Sequence, residues 1–319
     1  MGGRVSPVVY IIQITQQPAN NVTGDSEQAG PAERSNATSK RTRPDSEIDP
    51  TLLDLGRRAH ERRHHILQKI KTLDRTVVPC FNGDIPFTNA VAQLSDPAFC
   101  SELPFPFVGV VPTRFKVDPN NVEKNWSYMG REKFTKLVED FETMRKSPNH
   151  TALWVYGTRG YGKSHLLATF VCYLASQGKR VVYIPDCREC AKDSVEYFQI
   201  AMLFAWADDK NMQNEIMALS SMKEIYMFLR DHRDAILVVD QMNGLEILHE
   251  EPSKLKEKKG ELVDYLERIR ASHKSVLSTS ANNITYRVMQ QKQTSEAKMR
   301  LYGGLTTVSL NESNHRGIF

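Results

Sequence analysis

The sequence predicts an α/β fold: a doubly wound, mostly parallel sheet of five strands, with a partly disordered extension ahead of it. Three observations carry that expectation. Past Pro148, short β-branched runs alternate with helical stretches, and strands separated by helices imply parallel pairing through crossovers. A glycine-rich turn, Gly157 to Gly162, stands between the first of these strands and its helix. Farther on, the apolar run Ile236 to Val239 leads straight into Asp240, and open α/β sheets bind ligands beyond the carboxyl ends of their strands.

At the amino end, Val8 to Ile14 is an apolar run that reads as a strand rather than a signal-peptide core, because no small-residue cleavage site follows it. Gln, Asn, Ser, Thr and Pro dominate residues 16–50. With almost nothing to bury, such a stretch cannot offset its ordering entropy, so residues 1–50 are expected to be a disordered extension and linker. The cluster Lys40-Arg41-Thr42-Arg43 inside it reads as solvated linker. Residues 51–120 are expected to hold a basic helix and an irregular connector. Leu52, Leu55, Ala59, Ile66 and Ile70 recur at helical spacing among many basic side chains. The Pro- and Phe-rich stretch that follows lacks periodicity.

The basic helix contains His60-Glu61-Arg62-Arg63-His64, a literal match to the H-E-x-x-H zinc-protease pattern. Two imidazoles at i and i+4 share a face, but Arg62 and Arg63 would set fixed positive charges beside a dication. The reading is therefore a solvated basic helix, with a zinc protease as the remote alternative.

Residues 121–319 are expected to form the main domain. A helix is predicted from about Arg131 to Arg145 and strands at 151–156, 180–184, 235–239 and 275–279, with a fifth at Leu305 to Leu310. Helices are predicted over Ser164 to Ser176, about 193–208, about 213–230, and around Leu262, Leu266 and Ile269.

Composition narrows the classes of function. The 319 residues are 40% hydrophobic and 25% charged, with 42 Lys and Arg against 38 Asp and Glu. Those are globular proportions. A net charge of +4 gives no argument for nucleic acid. No apolar run approaches the roughly 20 residues of a membrane span. Five cysteines cannot all pair, and Cys187 and Cys190 have no second C-x-x-C nearby to complete a zinc site.

The glycine-rich turn is the decisive motif. Gly157-Thr158-Arg159-Gly160-Tyr161-Gly162-Lys163-Ser164 fits G-x-x-x-x-G-K-[ST] in the strand–loop–helix setting that a phosphate-binding loop requires. Glycines let successive N–H groups turn inward around phosphate oxygens, and the helix after them adds its positive end. Lys163 would meet the β and γ phosphates and Ser164 would offer a hydroxyl to Mg²⁺. His165, next on the helix, completes the candidate nucleotide-binding set. Asp240 is the second candidate metal ligand. The predicted fold is thus a P-loop NTPase, with ATP and Mg²⁺ as ligands. Gln241 stands where many hydrolysing relatives carry Glu, and an amide is a very poor proton acceptor; hydrolysis is expected to be slow, with Glu246 as a substitute base. Asn282, in Ser280-Ala281-Asn282-Asn283, is placed to read the γ phosphate, with a plain turn at Asn282-Asn283 as the alternative. The candidate catalytic set is Lys163, Asp240, Gln241 and Asn282. Gly130-Arg131-Glu132 reads as ordinary capping at a helix start, with a loop near the nucleobase as the alternative.

Five segments together, Gly157–Ser164, Val181–Cys187, Val239–Leu245, Ser278–Asn283 and Gly303-Gly304, resemble in order the ATPase module of the Crinkler (CRN) effectors of oomycetes and fungi. The Asp240-Gln241-x-Asn243 and Ser280–Asn283 pieces are the specific ones, and the likeness covers roughly residues 125–310. The resemblance implies a secreted effector that acts in host cells, often in the nucleus, with a host protein as partner. ATP over GTP is part of that implication. The first hundred residues carry no Leu-Phe-Leu-Ala-Lys type translocation motif, and no lid or further effector module is read before Phe319, as expected either of a shortened member or of a sequence that ends early. Two functions follow as expectations: a slow Mg²⁺-dependent ATPase, or a nucleotide-gated interaction module that binds ATP without turning it over.

Overall fold

The computed structural model describes residues 10–13, 50–75, 89–118, 120–121, 123–147, 150–157, 160 and 162–280. Most of the predicted linker, the predicted strand at Leu305 to Leu310, and Asn282 lie outside the described residues.

A five-stranded sheet organises the chain. Its strands are β1 (Tyr10–Gln13), β4 (His150–Gly157), β5 (Val181–Ile184), β6 (Ile236–Val239) and β7 (Lys274–Ser280), in the order β1-β4-β7-β6-β5. The four strands β4, β7, β6 and β5 are parallel, in a register that pairs Val155 with Ser278, Val239 with Leu277, and Ile184 with Val239. All four residues of β5 and of β6 are buried, as expected of strands covered on both faces. One edge strand is β1, which pairs antiparallel to β4 with Tyr10 opposite Trp154 and Ile12 opposite Ala152. The apolar run at the amino end thus contributes a strand of the sheet.

The connections are helical: α3 (Lys133–Lys146), α4 (Lys163–Ser176), α5 (Cys187–Cys190), α6 (Ser194–Ala205), α7 (Lys210–Met217), α8 (Met222–Asp231) and α9 (Ser253–Ser272). The single helix expected over about 213–230 is two. The break comes where Ser221 takes an extended conformation and its hydroxyl accepts from the Glu224 amide, capping a new helix. Asp193 and Asp209 cap α6 and α7 in the same way.

The segment ahead of the sheet holds more regular structure than its composition suggests. It forms α1 (Pro50–Arg75), α2 (Asn89–Ser95) and an antiparallel ribbon of β2 (Cys100–Pro104) and β3 (Asn125–Met129), with a 3-10 turn at Thr113–Phe115 between them. Cross-strand pairing supplied the order that sequence periodicity did not show. Nor is α1 simply a solvated helix. Leu55, Ala59, Ile66 and Ile70 are buried in the same core as the sheet, and α1 packs on α4 and α6. The buried Arg63 guanidinium donates to the carbonyls of Ala205 (3.3 Å) and Lys179 (3.2 Å). Ala205 ends α6, so an arginine meets a carbonyl that the helix leaves without an internal donor. Among the described residues, no helix is long and apolar enough to cross a membrane.

Candidate functional site

The carboxyl ends of β4, β5, β6 and β7 open onto a cleft of about 2180 Å³ that runs from the β2–β3 ribbon to the first turn of α9. Gly160, Gly162, Lys163, Ser164, His165, Asp240 and Gln241 all line it, as does Glu246. Gly157 ends β4 directly before the turn. Thr158, Arg159 and Tyr161, like Asn282, lie outside the described residues.

Gly160 (φ 91°) and Gly162 (φ 72°) occupy the left-handed region that glycine enters at little cost. Gly162 is the residue before α4, and no side chain caps the helix there. The amides of the first turn therefore present their partial positive charge toward the cleft. A Cβ at Gly162 would sit 2.5 Å from the Arg131 guanidinium carbon, so glycine is also needed for a cation to pack against the turn. Arg131 is only 7% exposed, and among the described residues no carboxylate pairs with it. Its Nε has no hydrogen-bond partner, and burial pushes its pKa down, against the Tyr128 phenol. A guanidinium so placed is costly unless an anion joins it.

Further positive charge gathers around Arg131. Burial pushes Lys163 down to about 8, with the Asp240 carboxylate opposing. The His165 ring lies against Phe115 (4.8 Å) and Trp126 (5.2 Å). Burial first, then Arg131, Arg114 and Lys116, push its pKa down to about 4, so the imidazole is neutral at pH 7. Arg114, Lys116, Arg131 and Lys163 thus line one cleft with the uncapped end of α4, an arrangement that favours a polyanion.

Acidic groups stand across from them. Asp240 is 1% exposed; its amide donates to the Ile184 carbonyl at 2.8 Å, and its carboxylate accepts the Ser278 hydroxyl from β7. Gln241 takes a left-handed conformation (φ 61°, ψ 47°), and its amide donates to the Ser278 oxygen at 3.1 Å. Asp186, just past β5, accepts the Arg188 amide on one oxygen at 2.9 Å and Arg114 Nη1 on the other at 2.8 Å. Arg114 Nη2 donates to Asp240 at 3.2 Å and to the Pro185 carbonyl.

The Ser164 hydroxyl and the Asp240 and Asp186 carboxylates are hard oxygen donors of the type Mg²⁺ takes. Among the described residues, no group of three His, Cys, Asp or Glu side chains gathers as a metal cage. A Mg²⁺ ion here would share its shell with water and ligand phosphates, its usual habit in phosphate sites.

Two members of the H-E-x-x-H segment are otherwise engaged. Glu61 accepts Arg57 Nη1 at 2.6 Å, and the His60 ring bonds the Ala207 carbonyl at 2.8 Å. Cys187 and Cys190 are buried free thiols in α5.

Arg114 went unread in the sequence, and Asp186 and Ser278, though inside segments that carry the resemblance, were given no role. Asp186 carried a signal, an acid just past an apolar strand as at Asp240. Arg114 carried none, since it meets Asp240 across 126 positions of chain.

Two comparisons bear on the cleft. The model of the nephrocystin 3 N-terminal family matches residues 133–239, about a third of the chain, and no curated protein matches the sequence. The matched stretch runs from the start of α3 through the glycine turn to the end of β6. The chain is thus similar, over that stretch, to a P-loop-like NTPase-associated family, and nothing in the match points to Crinkler effectors in particular.

Proposed function

We propose that the protein binds a Mg²⁺–nucleoside triphosphate, ATP by the Crinkler resemblance, through a P-loop formed by Gly157–Ser164. One observation carries the reading: the buried Arg131, Lys163 and the uncapped start of α4 meet in a single cleft with Asp240. In this reading the α4 amides and Gly160 hold the phosphates. Lys163 and Arg131 neutralise them, Ser164 and Asp240 hold the metal, and His165 packs neutral behind the loop. When bound, Mg²⁺ supplies charge neutralisation to the β and γ phosphates.

Whether the nucleotide is turned over depends on Gln241. A hydroxide-generating base is absent at that position, and the amide can orient water without taking its proton. Slow ATPase activity is the first form of the proposal. The second, favoured by Gln241 and its left-handed backbone, is a nucleotide-gated interaction module that binds ATP and does not hydrolyse it. Phosphate release measured over hours, with Lys163→Ala as control, separates them. Release above the control supports the ATPase; ATP binding with release equal to the control supports the gated module. A role in host cells as a secreted effector rests on the Crinkler resemblance alone, and imaging of the tagged chain in host tissue tests it.

A further inference from the structure

The cleft contains one contact that nucleotide binding alone does not explain. Arg114 sits on the carboxylates of Asp186 (2.8 Å) and Asp240 (3.2 Å), so a guanidinium holds the acid that the proposed metal would need. Its Nε is buried without a hydrogen-bond partner, leaving part of the fork unused. The side chain is 23% exposed at the cleft wall, while the next residue, Phe115, is fixed in the core against Phe105 (4.6 Å) and Trp126 (5.3 Å). The guanidinium can therefore turn about its own side-chain torsions while the backbone turn that carries it stays anchored.

We infer that Arg114 is the residue by which this protein distinguishes a triphosphate from a diphosphate, an inference that rests on the nucleotide reading above. In the free chain Arg114 bridges Asp186 and Asp240. A guanidinium and a dication repel each other and compete for one carboxylate, so Arg114 leaves Asp240 when that acid is claimed with the bound nucleotide. It then needs a new anion, and a planar fork suits phosphate oxygens as well as carboxylate. Arg114 lines the same cleft as Lys163, and a terminal phosphate beside Asp240 is that anion. A diphosphate supplies no such partner and leaves Arg114 on Asp240. Asp186 remains as the second anchor and returns the side chain once the nucleotide departs.

The competing account is a static clamp tying the 105–118 segment to the sheet. The full-length chain and its Arg114→Ala, Arg114→Lys and Asp186→Asn variants separate the two. Asn keeps the α5 cap, since Asn and Asp cap equally well. Two readouts apply: Mn²⁺ binding without nucleotide, followed by electron paramagnetic resonance, and the ratio of ATP to ADP affinity in Mg²⁺. For Arg114→Ala the expected results are Mn²⁺ binding about tenfold tighter and an ATP-to-ADP ratio lowered about tenfold. Arg114→Lys should restore the ratio only in part, and Asp186→Asn should tighten ATP binding by releasing the fork more easily. If Arg114→Ala leaves either readout unchanged, the inference fails and the clamp stands. In that case Lys163-dependent ATP binding by the parent chain keeps the nucleotide reading intact; no ATP binding by the parent chain overturns both.

Discussion

Lys163 is where the chemistry of the cleft is most directly accessible to experiment. Its pKa lies at about 8 because burial disfavours the charge more than Asp240 restores it. A phosphate beside it reverses that balance and raises the value. Below pH 8 the free site is already protonated and binding takes up no proton; above it, the complex holds more protons than the free protein. ATP affinity should therefore weaken as pH rises through about 8, with proton uptake visible in calorimetry across buffers of different ionisation enthalpy. A flat profile from pH 7 to 9 would mean that Lys163 does not meet the phosphates. Stability runs the opposite way. A lysine whose folded pKa lies below its unfolded value binds fewer protons when folded, so its penalty on folding is relieved as pH rises from about 8 toward the unfolded value. Gln241 gives a second test. Gln241→Glu installs a proton acceptor without changing side-chain length, and phosphate release should rise by at least about tenfold, toward the range of general-base catalysis. Release that stays at the level of the parent chain would show that the missing base is not what limits turnover.

Two close approaches between elements make steep predictions. At Gly130, between β3 and α3, a Cβ would overlap the Asp96 carbonyl at the end of α2. The neighbour is backbone and cannot yield cheaply, so Gly130→Ala should cost about 1–3 kcal/mol or more, seen as a lowered urea midpoint. Parent-like stability would contradict the packing of α2 against the β3–α3 junction. At Gly162 the obstacle is the Arg131 guanidinium. Gly162→Ala should leave the fold largely intact and weaken ATP binding, because either the turn or the arginine must move. The glycine turn, the helix after it and the acid ending β6 were legible in the sequence, because strand and helix periodicity and glycine placement are local properties. The β2–β3 ribbon was not legible. Its order comes from pairings such as Leu103 with Trp126, and no window along the chain contains both strands.

At the scale of the molecule, the described residues share a single apolar core that takes in α1 and α2 along with the sheet. The sequence suggested a basic helix in solvent, since the residues around Arg57 to Arg63 are mostly charged. The narrow stripe of Leu55, Ala59, Ile66 and Ile70 decided the matter, and Arg63 spends its charge on carbonyls rather than on water. The described sheet takes one edge strand from Tyr10–Gln13, inside the apolar run that the sequence marked as a strand; the strand expected at Leu305 to Leu310 lies outside the described residues. Which segment joins a sheet edge is a choice among distant segments that local pattern does not rank. Because the core is shared, Ile66→Ala should cost about 2–5 kcal/mol and lower the midpoint seen by every probe, including one placed at the cleft. A cleft that melts independently of α1 would show two units where one core is described. The central claim, that the cleft grips a metal-bound polyphosphate, is met most directly by titrating ATP calorimetrically, with and without Mg²⁺, into the parent chain and its Lys163→Ala and Asp240→Asn variants. Saturable binding that weakens at least about tenfold without Mg²⁺ or in either variant is the expected result; no binding, or binding indifferent to both residues, would contradict it.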